Sequence, residues 1–223
     1  MILHQRNLGY DKRKMRFVDH LDIRNEQAMN NCRHYFPNLT KLTLSVSFKD
    51  TRVSLPMILK TIIPLKQLTT LVINHDNICV EQFLKLFSST PNVHTLIFEH
   101  QPMDEINALL NKPTESFRLL SEKNKITTVV FKAGYSTENI QFLTTLCPRI
   151  QHLTVDNSYR LSFQSLIRFL LLATKSNLQH LYLLCVKNIG RTNPGILKTL
   201  IETEELLDSY SIKVINNELY LWW

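Results

Sequence analysis

Residues 39–44 read LTKLTL, a six-residue pattern in which the first, fourth and sixth positions are apolar. Six other segments share this pattern, and they begin at Val18, Leu68, Val93, Ile126, Ile150 and Leu178. Alternation over the last four positions predicts a short β-strand with one apolar face, and the first apolar residue is expected to anchor the turn into that strand. One such strand cannot bury its apolar face alone, so we expect the segments to stack.

The spacing of these segments predicts a repeat architecture. Their first residues lie 21, 29, 25, 33, 24 and 28 residues apart, which is mostly the period of leucine-rich repeats. The longest interval contains Pro102 and Pro113 and is interpreted as one repeat with a loop insertion. We therefore predict an α/β leucine-rich-repeat solenoid of about seven repeats. Parallel strands are expected on its concave face and helices on its convex face.

Helical periodicity occurs between the strand segments. The i, i+3, i+4, i+7 spacing of a helix face is present at Val80, Phe83, Leu84 and Phe87, and again at Phe163, Leu166, Ile167 and Leu170. Thr137 has the residue type of a helix N-cap. Pro56 suits the first turn of another helix, and Pro64 is expected to end it. Strand and helix signals therefore alternate along the chain.

The chain is predicted to consist of two parts. Residues 1–16 form a basic leader that carries Arg6, Lys12, Arg13, Lys14 and Arg16 against a single acidic residue. Residues 17–223 form the repeat domain, which ends in a β-hairpin cap at residues 210–223. Asn216 and Asn217 tolerate the positive φ angles of a tight hairpin turn. Tyr220, Trp222 and Trp223 are interpreted either as a cover for the open apolar end of the last repeat or as an anchor for a partner.

Composition and missing motifs exclude several classes of protein. No apolar segment is long enough for a signal peptide or a membrane span, and the four cysteines are too few and too scattered for a secreted disulfide framework. We therefore expect a monomer in the cytoplasm, with the nucleus as the alternative, and no membrane association. The chain lacks a Gly-rich phosphate loop, a Gly-x-Ser-x-Gly elbow and a His-Glu-x-x-His motif. We accordingly expect no enzymatic activity and no cofactor.

The junctions before three of the strand segments share a further pattern. They read FPNL at residues 36–39, TPNV at residues 90–93 and CPRI at residues 147–150. These junctions resemble the Cys-Pro-Asn-Leu junctions of F-box/leucine-rich-repeat proteins, whose repeats are similar to those of ribonuclease inhibitor. The resemblance covers residues 17–223 and implies a ribonuclease-inhibitor-like horseshoe. It does not include the F-box, through which members of the family dock on Skp1, so docking on Skp1 is not implied.

The outward residues of the predicted strands define a candidate binding face. Three rows of side chains are expected across the strands, and the candidate partner-binding residues among them are Thr70, Thr95, His152, His180, Val72, Ile97, Val130, Tyr182, Asn74, Glu99, Lys132 and Asp156. The predicted face has an apolar centre and polar ends, which suits a protein or peptide ligand.

Two functions follow from this face. The resemblance implies the substrate-binding region of an adaptor in an SCF ubiquitin ligase. The alternative is a stand-alone repeat protein that directly inhibits or activates an enzyme. Nucleic acid is not an expected partner of the face, because Arg24, Lys41 and Lys132 are its only cations. Association of nucleic acid with the segment from Arg6 to Arg16 is a third hypothesis.

Two places in the sequence offer candidate metal ligands. His152 and His180 are predicted to be neighbours in one row, and two pairs, Cys32 with His34 and His75 with Cys79, lie in adjacent repeats. Neither pair has the spacing of a structural zinc site. We therefore expect surface histidines and no bound metal.

Overall fold

The computed structural model of the protein describes residues 2–3, 15–46, 54–75, 79–100, 110, 113–133, 135–157, 163–174, 178–189 and 194–223. Within these ranges the chain is an α/β protein with one open sheet. The strands are β1 (Ile2–Leu3), β2 (His20–Ile23), β3 (Lys41–Leu44), β4 (Thr70–Ile73), β5 (Thr95–Phe98), β6 (Thr128–Phe131), β7 (His152–Asp156), β8 (Leu183–Lys187), β9 (Ser211–Ile215) and β10 (Glu218–Trp222). The helices are α1 (Glu26–Asn30), α2 (Leu55–Leu59), α3 (Val80–Ser89), α4 (Glu115–Lys123), α5 (Thr137–Leu146), α6 (Phe163–Thr174) and α7 (Pro194–Thr203).

The order of strands in the sheet follows the order in the chain. Strands β1 to β8 lie side by side, and each pairs in parallel with its neighbours. β9 and β10 form an antiparallel hairpin, and β10 pairs with β8, so that β9 is the last strand of the sheet. The predicted α/β class with parallel strands is therefore confirmed, and the sheet ends in the predicted hairpin.

The register of strands β2 to β7 agrees with the predicted rows. Residues in the first row pair across the sheet in the order His20, Lys41, Thr70, Thr95, Thr128 and His152. Since side chains alternate between the two sides of a strand, this pairing also aligns the residues two positions further along each strand, from Asp22 to Thr154, which form the second row.

The register of β8 differs from the prediction by three residues. His152 pairs with Leu183, whereas the sequence pattern placed His180 beside it. Residues 178–186 read LQHLYLLCV, which fits the six-residue pattern from Leu178 and also from Leu181. The second fit is correct, because it buries Leu184, which the first fit would have turned away from the core. His180 consequently lies in a turn before β8.

A backbone carbonyl directly before each of the strands β2 to β7 accepts two hydrogen bonds from the residues that enter the next strand. The carbonyl of Thr40 accepts from the N–H groups of Thr69 (2.8 Å) and Thr70 (3.1 Å). Equivalent pairs of bonds form at the carbonyls of Asp19, Thr69, His94, Thr127 and Gln151. This repeated contact fixes the register at the entrance to β3 to β8.

The junctions singled out in the sequence make equivalent contacts. The side-chain amide of Asn38 donates to the carbonyl of Arg16 at 2.7 Å, and that of Asn92 donates to the carbonyl of Lys66 at 2.8 Å. Arg149 takes the same place in its junction and donates to the carbonyl of Asn124 at 3.3 Å. Each junction therefore binds the backbone of the preceding unit.

The helices pack against one side of the sheet. Inward side chains of the strands and buried side chains of the helices form one continuous apolar core. Aromatic rings cross this core from helix to sheet, because Phe83 of α3 lies 6.1 Å from Phe98 of β5 and Phe98 lies 5.5 Å from Phe131 of β6. The Phe131 ring in turn lies 5.5 Å from that of Tyr135. No described helix is long and apolar enough to cross a membrane.

Helix boundaries follow the sequence signals with small differences. The N-cap of α5 is Ser136, one residue before the predicted Thr137, because Ser136 and Asn139 satisfy each other's backbone N–H groups in a capping box. Pro56 lies in the first turn of α2 as predicted, but that helix ends at Leu59, before Pro64. In the longest interval α4 is present, and Pro102 lies outside the described residues.

The two ends of the chain both join the sheet. Ile2–Leu3 pairs in parallel with β2, so this part of the predicted leader adds a strand, while residues 4–14 lie outside the described residues. At the other end, Asn216 and Asn217 have φ angles of 50° and 64°, as the predicted hairpin turn requires. Trp223 is partly buried and packs against the core, as the predicted cover requires, whereas Trp222 is 40% exposed.

Replacement of Phe131 tests the aromatic contacts across the core. We expect Phe131→Ala to lower the free energy of unfolding by about 3–5 kcal/mol, because a fully buried ring leaves a cavity. The matched control is Phe17→Ala, since Phe17 is 87% exposed and its removal should change stability by less than about 0.5 kcal/mol. Urea unfolding of both variants measures the difference, and equal losses would contradict this description of the core.

Candidate binding face

The side of the sheet that faces away from the helices carries the predicted binding residues. We call this side the outer face; its first row is the paired series from His20 to His152 described above. Its second row contains Asp22, Thr43, Val72, Ile97, Val130 and Thr154. None of the described apolar side chains of the second row belongs to the core cluster. The outer face is therefore a surface separate from the core.

The apolar centre of the outer face is narrower than predicted. Val72 is only 3% exposed, and its neighbours Asp22 and Thr43 in the second row are also buried. Ile97 and Val130 are partly exposed and pair with each other across β5 and β6. Of the three predicted apolar contact residues, two are therefore accessible to a partner.

A polar network occupies the end of the outer face near β2. The carboxylate of Asp22 accepts hydrogen bonds from Arg24 Nε at 2.6 Å and from Ser45 Oγ at 2.7 Å. Asn74 Nδ2 donates to Ser45 Oγ at 3.1 Å, which extends the network to β4. These bonds satisfy the buried Asp22 carboxylate, as a buried charge requires. They also hold Asn74, one of the predicted contact residues, in place.

His20 lies beside this network. Its Nε2 is 2.8 Å from Thr43 Oγ1. Burial and the charge of Lys41 lower the pKa of His20, so its neutral form is favoured near neutral pH. At this end of the first row the charge is therefore carried by Lys41 and not by His20.

The third row lies two residues beyond the second; it begins with Arg24, Ser45 and Asn74 and continues with charged residues at the ends of β5 to β8 that have polar or charged partners. Lys132 Nζ lies 2.7 Å from Glu99 Oε1, and Lys187 Nζ lies 2.8 Å from Glu218 Oε1. Asp156 accepts a hydrogen bond from Asn188 at 2.8 Å. The third row therefore presents paired charges to a partner.

Aromatic side chains occupy the end of the outer face near the hairpin. The ring of Tyr182, 44% exposed, meets His152 edge-on with centroids 4.9 Å apart. Tyr182 lies immediately before β8 and not within a strand as predicted. Trp222 pairs with Leu183 on the neighbouring strand and shares the first row with His152. Sequence reasoning missed Leu183, and it named Trp222 as a cover or a partner anchor without placing it in this row, because both positions depend on the register of β8 and on the pairing of the hairpin.

The sites considered for metal binding are not assembled. His180 lies in the turn before β8 and is not in register with His152. The thiol of Cys32 donates to the backbone carbonyl of His34 at 3.5 Å. Among the described residues, no group of three or more histidine, cysteine or acidic side chains is placed to hold a metal ion.

The four cysteines, all within the described residues, are free thiols. Burial raises the pKa of Cys147, which lies at a junction inside the core, and also that of Cys185 on the outer face. Neither thiol is therefore activated as a nucleophile.

No protein-family model matches the chain, and no curated protein matches its sequence. The resemblance of its junctions to those of F-box/leucine-rich-repeat proteins therefore supports a proposal and not a family assignment.

Glu218 links the hairpin to the parallel strands and provides a test by pH. Hydrogen bonds from Lys187 and Tyr220 hold the pKa of Glu218 below the ordinary value of 4.5. The hydrogen bond that the Tyr220 hydroxyl donates to Glu218 raises the pKa of Tyr220 to about 12. Because the carboxyl pKa is lowered on folding, this interaction stabilises the fold above pH 4.5 and is lost as the pH falls through the lowered value.

We therefore expect Glu218→Gln to lower Tm modestly at neutral pH and to unfold like the wild type in acid. Thermal melts across this pH range measure the difference. Glu122→Gln, at an exposed position of α4 without an ion pair among the described residues, should show no such pH dependence. A constant difference in Tm at every pH would mean that the charge of Glu218 has no role.

Proposed function

We propose that the chain is a leucine-rich-repeat solenoid of about seven repeats, similar to ribonuclease inhibitor, and that its outer face binds another protein. The sequence period supports the repeat, and the strand order supports it too, because each unit contacts mainly the units before and after it. In this proposal the outer face is concave and the helices lie on the convex side.

The observation that carries the binding role is the arrangement on β5 and β6. Ile97 and Val130 form a partly exposed apolar pair at the centre, with Thr95 and Thr128 on one side. The ion pair of Glu99 and Lys132 lies on the other side. An apolar centre with a polar rim is the usual anatomy of a protein interface.

The aromatic end of the outer face extends this surface. Tyr182 and Trp222 are both exposed, and tyrosine and tryptophan are enriched among residues that dominate binding energy. Strands β2 to β8 span roughly 30 Å at the usual strand spacing. This width suits a partner surface of ordinary protein-interface size.

The biological setting is proposed from the junctions. Their resemblance to F-box/leucine-rich-repeat proteins favours the substrate-binding region of a ubiquitin-ligase adaptor, with a protein substrate as partner. If Skp1 and other ligase subunits never accompany the partner, the outer face acts instead as a direct regulator of an enzyme.

A double substitution on β5 and β6 tests the binding role. Partners captured by affinity purification with the whole chain are identified first, and their Kd is then measured by calorimetry. We expect Ile97→Asp with Val130→Asp to weaken binding at least roughly 30-fold, because two charges would be desolvated at the centre of the interface.

The matched control places the same charges on the helices. Met57 and Leu119 are exposed apolar residues of α2 and α4, so Met57→Asp with Leu119→Asp should leave Kd unchanged. Equal Kd values for the two double variants would rule out the outer face as the binding site.

A further inference from the structure

The segments that enter the parallel strands carry an excess of positive charge. Because the strands are parallel, their amino ends lie along one edge of the sheet, which we call the amino edge. The segments in question are residues 15–19, 31–40, 60–69, 90–94, 124–127 and 147–151, which precede β2 to β7. Their charged residues are the cations Arg16, Arg33, Lys60, Lys66, Lys125 and Arg149, and one carboxylate, Asp19.

The cations of the amino edge differ from those of the outer face. All six side chains are exposed, and none forms an ion pair with another described residue. Lys125 donates instead to the amide oxygen of Asn92 at 2.8 Å, and Arg149 to a backbone carbonyl. On the outer face, in contrast, Arg24, Lys132 and Lys187 are paired with carboxylates. Lys41 of the first row is a cation there that forms no ion pair with a described residue. The charge of the amino edge is therefore available to a ligand.

These cations form a stripe along the sheet. Arg16, Lys66, Lys125 and Arg149 precede β2, β4, β6 and β7, which at the usual strand spacing extend over roughly 24 Å. The negative end of a helix dipole favours a nearby cation, and this accounts for Lys60, which directly follows α2. Lys66 and Lys125 lie further along their junctions, towards the strands, so the helix dipoles do not account for them.

The stripe stops before the end of the molecule. Residues 204–210, which follow α7, carry Glu204, Glu205 and Asp208 and no cation. Glu204 is paired with Arg168 at 2.7 Å, but Glu205 and Asp208 add negative charge to this segment, so a long anion is favoured along β2 to β7 and not at this end.

Two exposed aromatic rings lie within the stripe. Phe17, next to Arg16, is 87% exposed, and Tyr35, close to Arg33, is 49% exposed. Because the Phe17 ring is exposed, it contributes almost no hydrophobic burial energy to the stability of the free protein. Exposed rings among unpaired cations are the combination that binds single-stranded nucleic acid, because bases stack on the rings while cations contact phosphates. An acidic peptide would use the cations but would not need the rings.

We propose that the amino edge binds single-stranded nucleic acid. Phosphates contact Arg16, Lys66 and Lys125, and bases stack on Phe17 and Tyr35. This surface is separate from the outer face, so the inference does not depend on the proposed protein partner. It also does not use residues 4–14, whose basic side chains lie outside the described residues.

The experiment measures the affinity of the whole chain for a fluorescein-labelled 15-nucleotide oligothymidylate by fluorescence anisotropy at several salt concentrations. The test variant combines Arg16→Gln, Lys66→Gln and Lys125→Gln. Loss of three phosphate contacts should reduce the slope of log K against log salt by about 2. The control variant combines Lys85→Gln, Lys198→Gln and Lys213→Gln, which remove the same charge from α3, α7 and β9, and its slope should stay at the wild-type value.

The aromatic rings have a separate readout. Phe17→Ala and Tyr35→Ala should each weaken binding about tenfold without changing the salt slope, since stacking involves no release of counterions. A duplex of the same length should bind more weakly than the single strand, because its bases are not available to the rings. Thermal melts of all variants establish that they remain folded.

Three outcomes would overturn the proposal. The first is an absence of saturable binding at low salt. The second is an equal loss of affinity in the test and control variants, which would indicate attraction by net charge alone. The third is a combined result in which poly-glutamate competes with an affinity equal to that of the oligothymidylate and Phe17→Ala and Tyr35→Ala bind the oligothymidylate as the wild type does. That result would identify an acidic polypeptide as the ligand.

Discussion

The rest of the structure depends on one repeated contact, in which the carbonyl before each of β2 to β7 accepts hydrogen bonds from two N–H groups at the entrance to the next strand. The carbonyl of Thr40 binds the N–H groups of Thr69 and Thr70, and the same contact recurs from Asp19 to Gln151. It sets the register of every following pair in the strand, so residues at one position of the unit align in a row. The outer face of this protein is therefore a set of rows that cross the strands, with an apolar centre at Ile97 and Val130 and polar residues towards the ends.

The charged residues of the outer face and those of the amino edge differ in whether they form ion pairs. On the outer face, carboxylates and cations from neighbouring strands meet, as in the pair of Glu99 and Lys132, and their charges cancel. Along the amino edge the units contribute cations such as Lys66 and Lys125, with few carboxylates to meet them. The same repeated geometry thus places mostly paired charges on the outer face and unpaired cations along the amino edge.

The hairpin covers the edge of the last parallel strand, β8. A last parallel strand would expose its N–H and carbonyl groups, and such an edge invites pairing with other chains. Here β10 reverses direction and pairs with β8, and Glu218 joins the two through Lys187. The strand left at the edge, β9, carries the exposed Lys213 at its centre, which opposes the addition of a further strand.

The sequence by itself determined strands β2 to β7, their rows, the helices α3 and α6 and the hairpin turn, because these depend on periodicity and on local backbone preferences. Three features needed the tertiary structure: the register of β8, the burial of Val72 and the place of Trp222 on the outer face. Residues 178–186 fit the strand pattern twice, and only packing against the core distinguishes the two fits. Local pattern decides which side chains share a side of a strand, whereas exposure and strand pairing depend on segments far apart in the chain.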